Sequence, residues 1–198
     1  MRKLILSLIA ALGLAASLAG CAAPKPPSHD DAMQKLTGGY AMIYGGSYEA
    51  ATSLIGSARV LMPGKITLGN ESGTASFGER TRFIDSSIQS GFWGSALVAA
   101  GTWRVYRIEY QNMLGGNLGT DTFGFPADTT ITVAPGEVVY IGQFEVPAPS
   151  LTGMFADRRA IRRDDFARFR DALRAVEPDL AARVVYRPLQ SSVIVDAP

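Results

Sequence analysis

Cys21 is the only cysteine in a chain of 198 residues, so no disulfide can form within one molecule and the fold must rest on its packed core. The constraint matters because the residues before Cys21 read as an export signal. Arg2 and Lys3 precede an apolar run from Leu4 to Ala19, and the small residues Ala19 and Gly20 close it. A charged start, a short apolar stretch and a small-residue cleavage site make a secretory signal, whereas a membrane span needs ~20 apolar residues. An exported chain meets an oxidising compartment, yet this one has no second thiol to use there. Loss of residues 1–20 also removes Arg2 and Lys3, and the formal net charge of +1 then falls just below zero. That balance gives nucleic acid no electrostatic handle.

Leu18-Ala19-Gly20-Cys21 resembles the lipobox of bacterial lipoproteins. The resemblance implies that the Cys21 thiol receives a diacylglyceryl group and that signal peptidase II then cuts before it, with Leu18, Ala19 and Gly20 as its recognition residues. In Gram-negative lipoproteins an Asp after the lipidated Cys retains the chain in the inner membrane. Ala22 stands there instead, which implies the periplasmic face of the outer membrane, or the cell membrane in a host with only one. The following Ala22–Asp31 is Pro-rich and polar and reads as an extended tether reaching ~30 Å at about 3.1 Å per residue. His29, the only histidine, falls among these solvated residues and reads as spacer.

From Leu36 to Val146 the chain reads as β-structure. In Glu137–Val146, the residues Val138, Tyr140, Phe144 and Val146 share one face at period two and the other face is mixed, as in a half-buried antiparallel strand. Thr130–Val133 precedes it, joined by Ala134-Pro135-Gly136-Glu137, where Pro presets φ and Gly tolerates φ > 0 as a type II turn requires. Similar punctuation at Met62-Pro63-Gly64-Lys65 predicts a turn between Arg59–Met62 and Ile66–Leu68, and Ala99-Ala100-Gly101-Thr102 another between Ser95–Val98 and Trp103–Tyr110. In that last strand Trp103 and Val105 lie in one phase and Tyr106, Ile108 and Tyr110 in the other, so either a bulge shifts the phase near Val105 or both faces are covered. Tyr106 is expected to face inward with Ile108. Gly38–Tyr44 makes a first strand, and Gly69–Gly78 and Gln111–Asp128 read as loops. Short strands at this spacing predict an antiparallel β-sandwich.

After Pro147-Ala148-Pro149 the character changes. The charge run Asp157–Arg163 leads to Asp164 as an N-cap. Phe166, Phe169, Leu173 and Val176 then recur at helical spacing, and Pro178 ends the helix. Arg183–Tyr186 reads as a closing strand or extended return.

Phe92–Val105 followed by Ile131–Gly142 resembles bacterial lipoproteins with transthyretin-like or carboxypeptidase-regulatory-like β-sandwiches, over about a third of the mature chain. Ala99-Ala100-Gly101 departs from their usual Pro-Gly. The resemblance implies an Ig-like sandwich and says little of activity, because such sandwiches carry unrelated functions. The expected organisation is a signal peptide over 1–20, the lipidated Cys and tether over 21–35, the sandwich over 36–149, and one C-terminal amphipathic helix with a closing segment over 150–198.

With one histidine in the tether and one cysteine at the lipidation site, neither a Ser-His-Asp triad nor a zinc site can be assembled, and no cofactor is expected. Asp85, Glu109, Asp121 and Glu137 leave a carboxylate-only hydrolase as an alternative, but no spacing pairs any two of them. Gly115–Gly119 does not open a helix after a buried strand, so it is not read as a phosphate loop. Two candidate binding surfaces remain. Phe92 and Trp93 could stack on a glycan or anchor an envelope protein, although large aromatics at strand spacing more often fill a core. Arg158, Arg159, Arg162 and Arg163 could meet an anionic partner or lipid headgroups, although flanking acids favour a solvated face. The reading is a lipid-anchored envelope protein that binds or scaffolds. An accessory of a secretion or surface-assembly machine is the alternative, since some secretion-system lipoproteins also resemble transthyretin.

Overall fold

The computed structural model describes residues 29–52, 59–78, 93–112, 119–147 and 158–197. The chain is mainly β, with a single curled sheet and short helices on its outside. In chain order the elements are α1 (His29–Thr37), β1 (Tyr40–Thr52), β2 (Arg59–Asn70), β3 (Gly73–Phe77), β4 (Trp93–Ala99), β5 (Gly101–Asn112) and β6 (Gly119–Gly124). They continue with β7 (Thr130–Val133), β8 (Val138–Pro147), β9 (Ala160–Arg163), α2 (Phe166–Val176), α3 (Pro178–Arg183), β10 (Val185–Tyr186) and β11 (Ile194–Asp196).

The main path across the sheet runs β11-β9-β8-β1-β2-β5-β6. Pairing is mixed rather than antiparallel throughout, because β8 runs parallel to β1, β10 parallel to β8 and β11 parallel to β9. On its other side β1 pairs first with β4 and then, from Tyr48 on, with β2.

β2 makes the curl. Pro63 still pairs with Tyr48 of β1, whereas the next residue, Gly64, pairs with Tyr110 of β5. The turn expected at Met62-Pro63-Gly64-Lys65 is therefore absent, and one strand bends there to serve both halves of the sheet. The residues that break a ladder at a turn also break it at a bend, since Pro lacks the N–H and Gly admits close approach. A Cβ on Gly64 would lie 2.4 Å from both Ser47 Oγ and Tyr110 Cε1.

The turn at Ala134-Pro135-Gly136-Glu137 forms as predicted, with Gly136 at φ +74° and the Glu137 N–H donating to Ala134 O at 3.2 Å. It joins no hairpin, because β7 pairs with β5 while β8 pairs with β1. The chain uses it to cross between halves. The true hairpin β2–β3 turns at Asn70–Gly73, inside Gly69–Gly78, which had read as a loop, and the Ser72 N–H donates to Asn70 Oδ1 at 2.8 Å. β6 likewise occupies part of the expected Gln111–Asp128 loop.

Two bulges set which side chains meet. In β5 the register jumps so that Thr67 faces Arg107 and Leu68 faces Val105, leaving Tyr106 as the extra residue. Trp103, Val105, Ile108 and Tyr110 are consequently all buried while Tyr106 is 37% exposed. The phase shift was legible in the sequence; the inward placement of Tyr106 is corrected, because the bulged residue is the one a ladder leaves outside. In β8 the register with β1 slips between Tyr140 and Gln143, around Gly142 at φ +116°. Val138 and Tyr140 thus face the helices, whereas Phe144 and Val146 join Val139 and Ile141 inside the curl. The single period-two face assigned to these four residues is divided, and β8 is buried on both sides up to Val146.

One apolar cluster fills the curl, with Ile43, Leu68, Trp103, Ile108, Ile141 and Phe144 among its members. The other lies between the outer face of β1, β4 and β8 and the three helices. α1 begins at His29, within residues expected to be extended tether. Ala32 and Leu36, four apart on one face, are both buried there, and Asp30, Asp31 and Lys35 suit the helix dipole. In α2, Phe169 and Leu173 are fully buried while Val176 is 55% exposed. The N-cap is Asp165 rather than Asp164, and its side chain makes no cap hydrogen bond. Pro178 ends α2 as expected and also opens α3, so among the described residues three helices stand where one was expected. The closing strand forms as β10 against β8.

Candidate functional site

Leu18, Ala19, Gly20, Cys21 and Phe92 lie outside the described residues. Trp93 is corrected as a surface aromatic: it is 1% exposed, starts β4 opposite Gly46, and packs its ring edge-on to Phe169 at 5.6 Å between centroids. Its Nε1–H donates to Asp165 Oδ2 at 2.8 Å, and Tyr140 Oη–H donates to Asp165 Oδ1. Burial pushes the Asp165 carboxyl above its ordinary range, against the lowering effect of these two donors. This group fastens α2 to the sheet.

The arginine patch is also corrected. Arg162 reaches Asp196 Oδ1 and the Leu189 carbonyl, Arg163 pairs with buried Glu145, and only Arg159 among the four is exposed. Strand alternation in β9 sends neighbours to opposite faces, so the run in sequence does not become a patch in space.

Arg158 leads to a site that the sequence did not reveal. Its Nη2 lies 3.3 Å from Glu49 Oε1 and 2.7 Å from Asp121 Oδ2, and its Nε–H donates to Pro147 O at 3.1 Å. Glu49 and Ser47, both fully buried on β1, continue the inward phase of Ala41 and Ile43. They meet Tyr110 of β5 and Asp121 of β6 at the end where β1, β5 and β8 finish. Asp121 and Tyr110 are register partners.

Burial raises the Glu49 carboxyl to about 7, helped by the hydrogen bond and charge of Asp121 and opposed by Arg158. Burial acts in the same direction on Asp121, but its hydrogen bonds to Arg158 and Glu49 outweigh it and hold that carboxyl below its ordinary value. The two carboxyls share a proton seated on Glu49. Burial, above all, keeps the Tyr110 phenol protonated. Among the described residues, Tyr110 Oη, Ser47 Oγ and Glu49 Oε2 have no hydrogen-bond partner outside this cluster. The site can hold a proton near neutrality in a charged, close-packed interior.

Asp121 was visible as an available carboxylate without a mate. Its mate lies beyond Gly38–Tyr44, the span that reads as the first strand; continuing the same alternation along β1 to Glu49 exposes an inward-facing acid. Glu109 lies elsewhere, bonded to Lys65 at 2.9 Å, and Glu137 pairs with Arg187. Thr130, Thr132, Glu137, Arg187 and Gln190 border a shallow open groove of about 470 Å³. Among the described residues no group of three or more His, Cys, Asp or Glu is placed to hold a metal ion. Comparison with protein-family models, with curated proteins and with solved structures finds no match.

Proposed function

We propose that this chain is a lipid-anchored protein of the bacterial cell envelope that acts by binding or scaffolding. The observation that carries the reading is Leu18-Ala19-Gly20-Cys21 behind the apolar run Leu4–Ala19. Beside it stands the start of α1 at His29, eight residue steps from Cys21, a reach of at most ~29 Å. An anchored Cys21 keeps the domain within that distance of the lipid surface. A sandwich of transthyretin or carboxypeptidase-regulatory type is the finer reading, supported by two halves of a curled sheet around one apolar cluster. The parallel β1–β8 pair is a departure from a strictly antiparallel one.

Binding is assigned to the end marked by Glu49, Asp121 and Arg158, where β1, β5 and β8 finish. A carboxylate-dependent hydrolase is a second reading, favoured only by the Glu49–Asp121 pair. Against it stand Arg158, which already engages both carboxylates, and Gly64, where not even a methyl group fits.

Cys21→Ser tests the anchor. The unaltered protein should incorporate radiolabelled palmitate and sediment with membranes, and the variant should do neither. A variant cleaved at the same bond and still membrane-bound would refute anchoring through Cys21. Crosslinking in intact envelopes then separates the partners: one multiprotein complex identifies an accessory of a secretion or surface-assembly machine, and glycan retention without protein partners identifies a binding module.

A further inference from the structure

We propose that Glu49, Asp121 and Arg158 form a pH-sensitive clasp, closing the charged end of the curled sheet while Glu49 carries a proton and loosening it when that proton leaves. The proposal does not depend on lipid anchoring. It starts from topology: β1 and β8 belong to one half of the sheet, β6 is the far edge of the other, and the strand ladder joins the halves through β2. Arg158 supplies a second tie, because one guanidinium reaches Glu49 on β1, Asp121 on β6 and the backbone carbonyl at the end of β8.

The tie balances in only one protonation state. With Glu49 neutral, one cation meets one carboxylate, and the Glu49 proton bridges to Asp121. With Glu49 ionised, two facing carboxylates, that of Glu49 fully buried, share one guanidinium, and the bridging hydrogen is gone. Repulsion between them is relieved most directly by separating β6 from β1 and admitting solvent. Among the described residues the other groups facing the cluster cannot compensate. β5 contributes Tyr110, whose phenol keeps its proton, β1 contributes the neutral Ser47, and β2 contributes Gly64.

The sign follows from Glu49. Its carboxyl titrates near 7 in the folded chain against an ordinary value of 4.5, so folding takes up a proton between those values. The stability this contributes is complete below the ordinary value and is lost as pH rises through about 7. Asp121, held low, has the opposite sign and acts only in more acid solution.

Hydrogen exchange of the full chain, corrected for the intrinsic pH dependence of amide exchange, tests the clasp. Between about pH 5.5 and about pH 8, opening of the β6 amides should increase at least ~tenfold, while amides of β4 and α2 keep their protection. Glu49→Gln, which mimics the neutral acid, should hold β6 closed at both values. Asp121→Asn provides an independent arm should that variant fold poorly: ionised Glu49 then meets Arg158 alone, one carboxylate against one cation, and the pH-dependent opening of β6 should disappear. A flat profile in the unaltered protein overturns the proposal. So does a pH-dependent opening that Asp121→Asn leaves unchanged.

Discussion

Half-buried Asp165 and fully buried Glu49 are acids whose carboxyls are both raised by burial, and they stand in different surroundings. Asp165 accepts from two neutral donors, Trp93 and Tyr140, with the Arg168 charge also acting on it, beside an aromatic layer where Tyr140 stacks on Phe169 at 4.2 Å between centroids. Glu49 faces a second carboxylate and a cation. The first set of partners does not titrate near neutrality, because the indole has no accessible ionisation and burial holds the Tyr140 phenol well above its ordinary range. The second includes the very proton that neutral pH removes. Burial alone therefore does not make an acid responsive; the identity of its partners does.

The largest effect that tests this contrast belongs to the aromatic layer. Phe169→Ala removes a ring that meets Tyr44, Trp93 and Tyr140, and chemical denaturation should show a loss of about 4 kcal/mol with little dependence on pH. A loss below about 1 kcal/mol would mean that the helices are not fixed to the sheet as described.

Exchanging each acid for its amide sharpens the comparison. Asp165→Asn places an NH2 group against two donors that need acceptors, and should cost about 1–3 kcal/mol at any pH between 5 and 8. Glu49→Gln at about pH 5 replaces a neutral acid by a neutral amide and should cost less than ~1 kcal/mol. Equal costs for the two would erase the distinction.

The smallest effect is reserved for Tyr106. Outside the bulge it covers Gly69 and lies under the Arg104 guanidinium at 4.8 Å, so Tyr106→Ala should change the melting free energy by no more than ~1 kcal/mol. A core-sized loss would restore the inward placement that its alternation with Ile108 predicts.

How much of this was legible depends on what range of the chain each signal covers. Strand content, the Pro135-Gly136 turn, the phase shift in β5 and the helical face of Phe169 and Leu173 are local, and the sequence carries them within a few residues. Partner choice is not local. Pro63-Gly64 reads the same in a turn as in a strand that changes sheet partner, and only the positions of β1 and β5 decide between them. The same limit hid the charged site, since Glu49, Asp121 and Arg158 come from segments far apart in sequence, and Trp93 stood open between core and surface because its cover, α2, arrives long after it.

The parallel pairing of β1 with β8 has a consequence in time. β1 leaves the ribosome, or any translocation channel, well before β8, with about a hundred residues of chain between paired positions such as Met42 and Val138. At roughly 5–20 residues per second, the strand at the centre of the sheet waits on the order of ten seconds for its partner, with one hydrogen-bonding edge open. Commitment to the native state is therefore postponed until β8 has emerged, and the nascent chain offers other polypeptides an unpaired β1 until then.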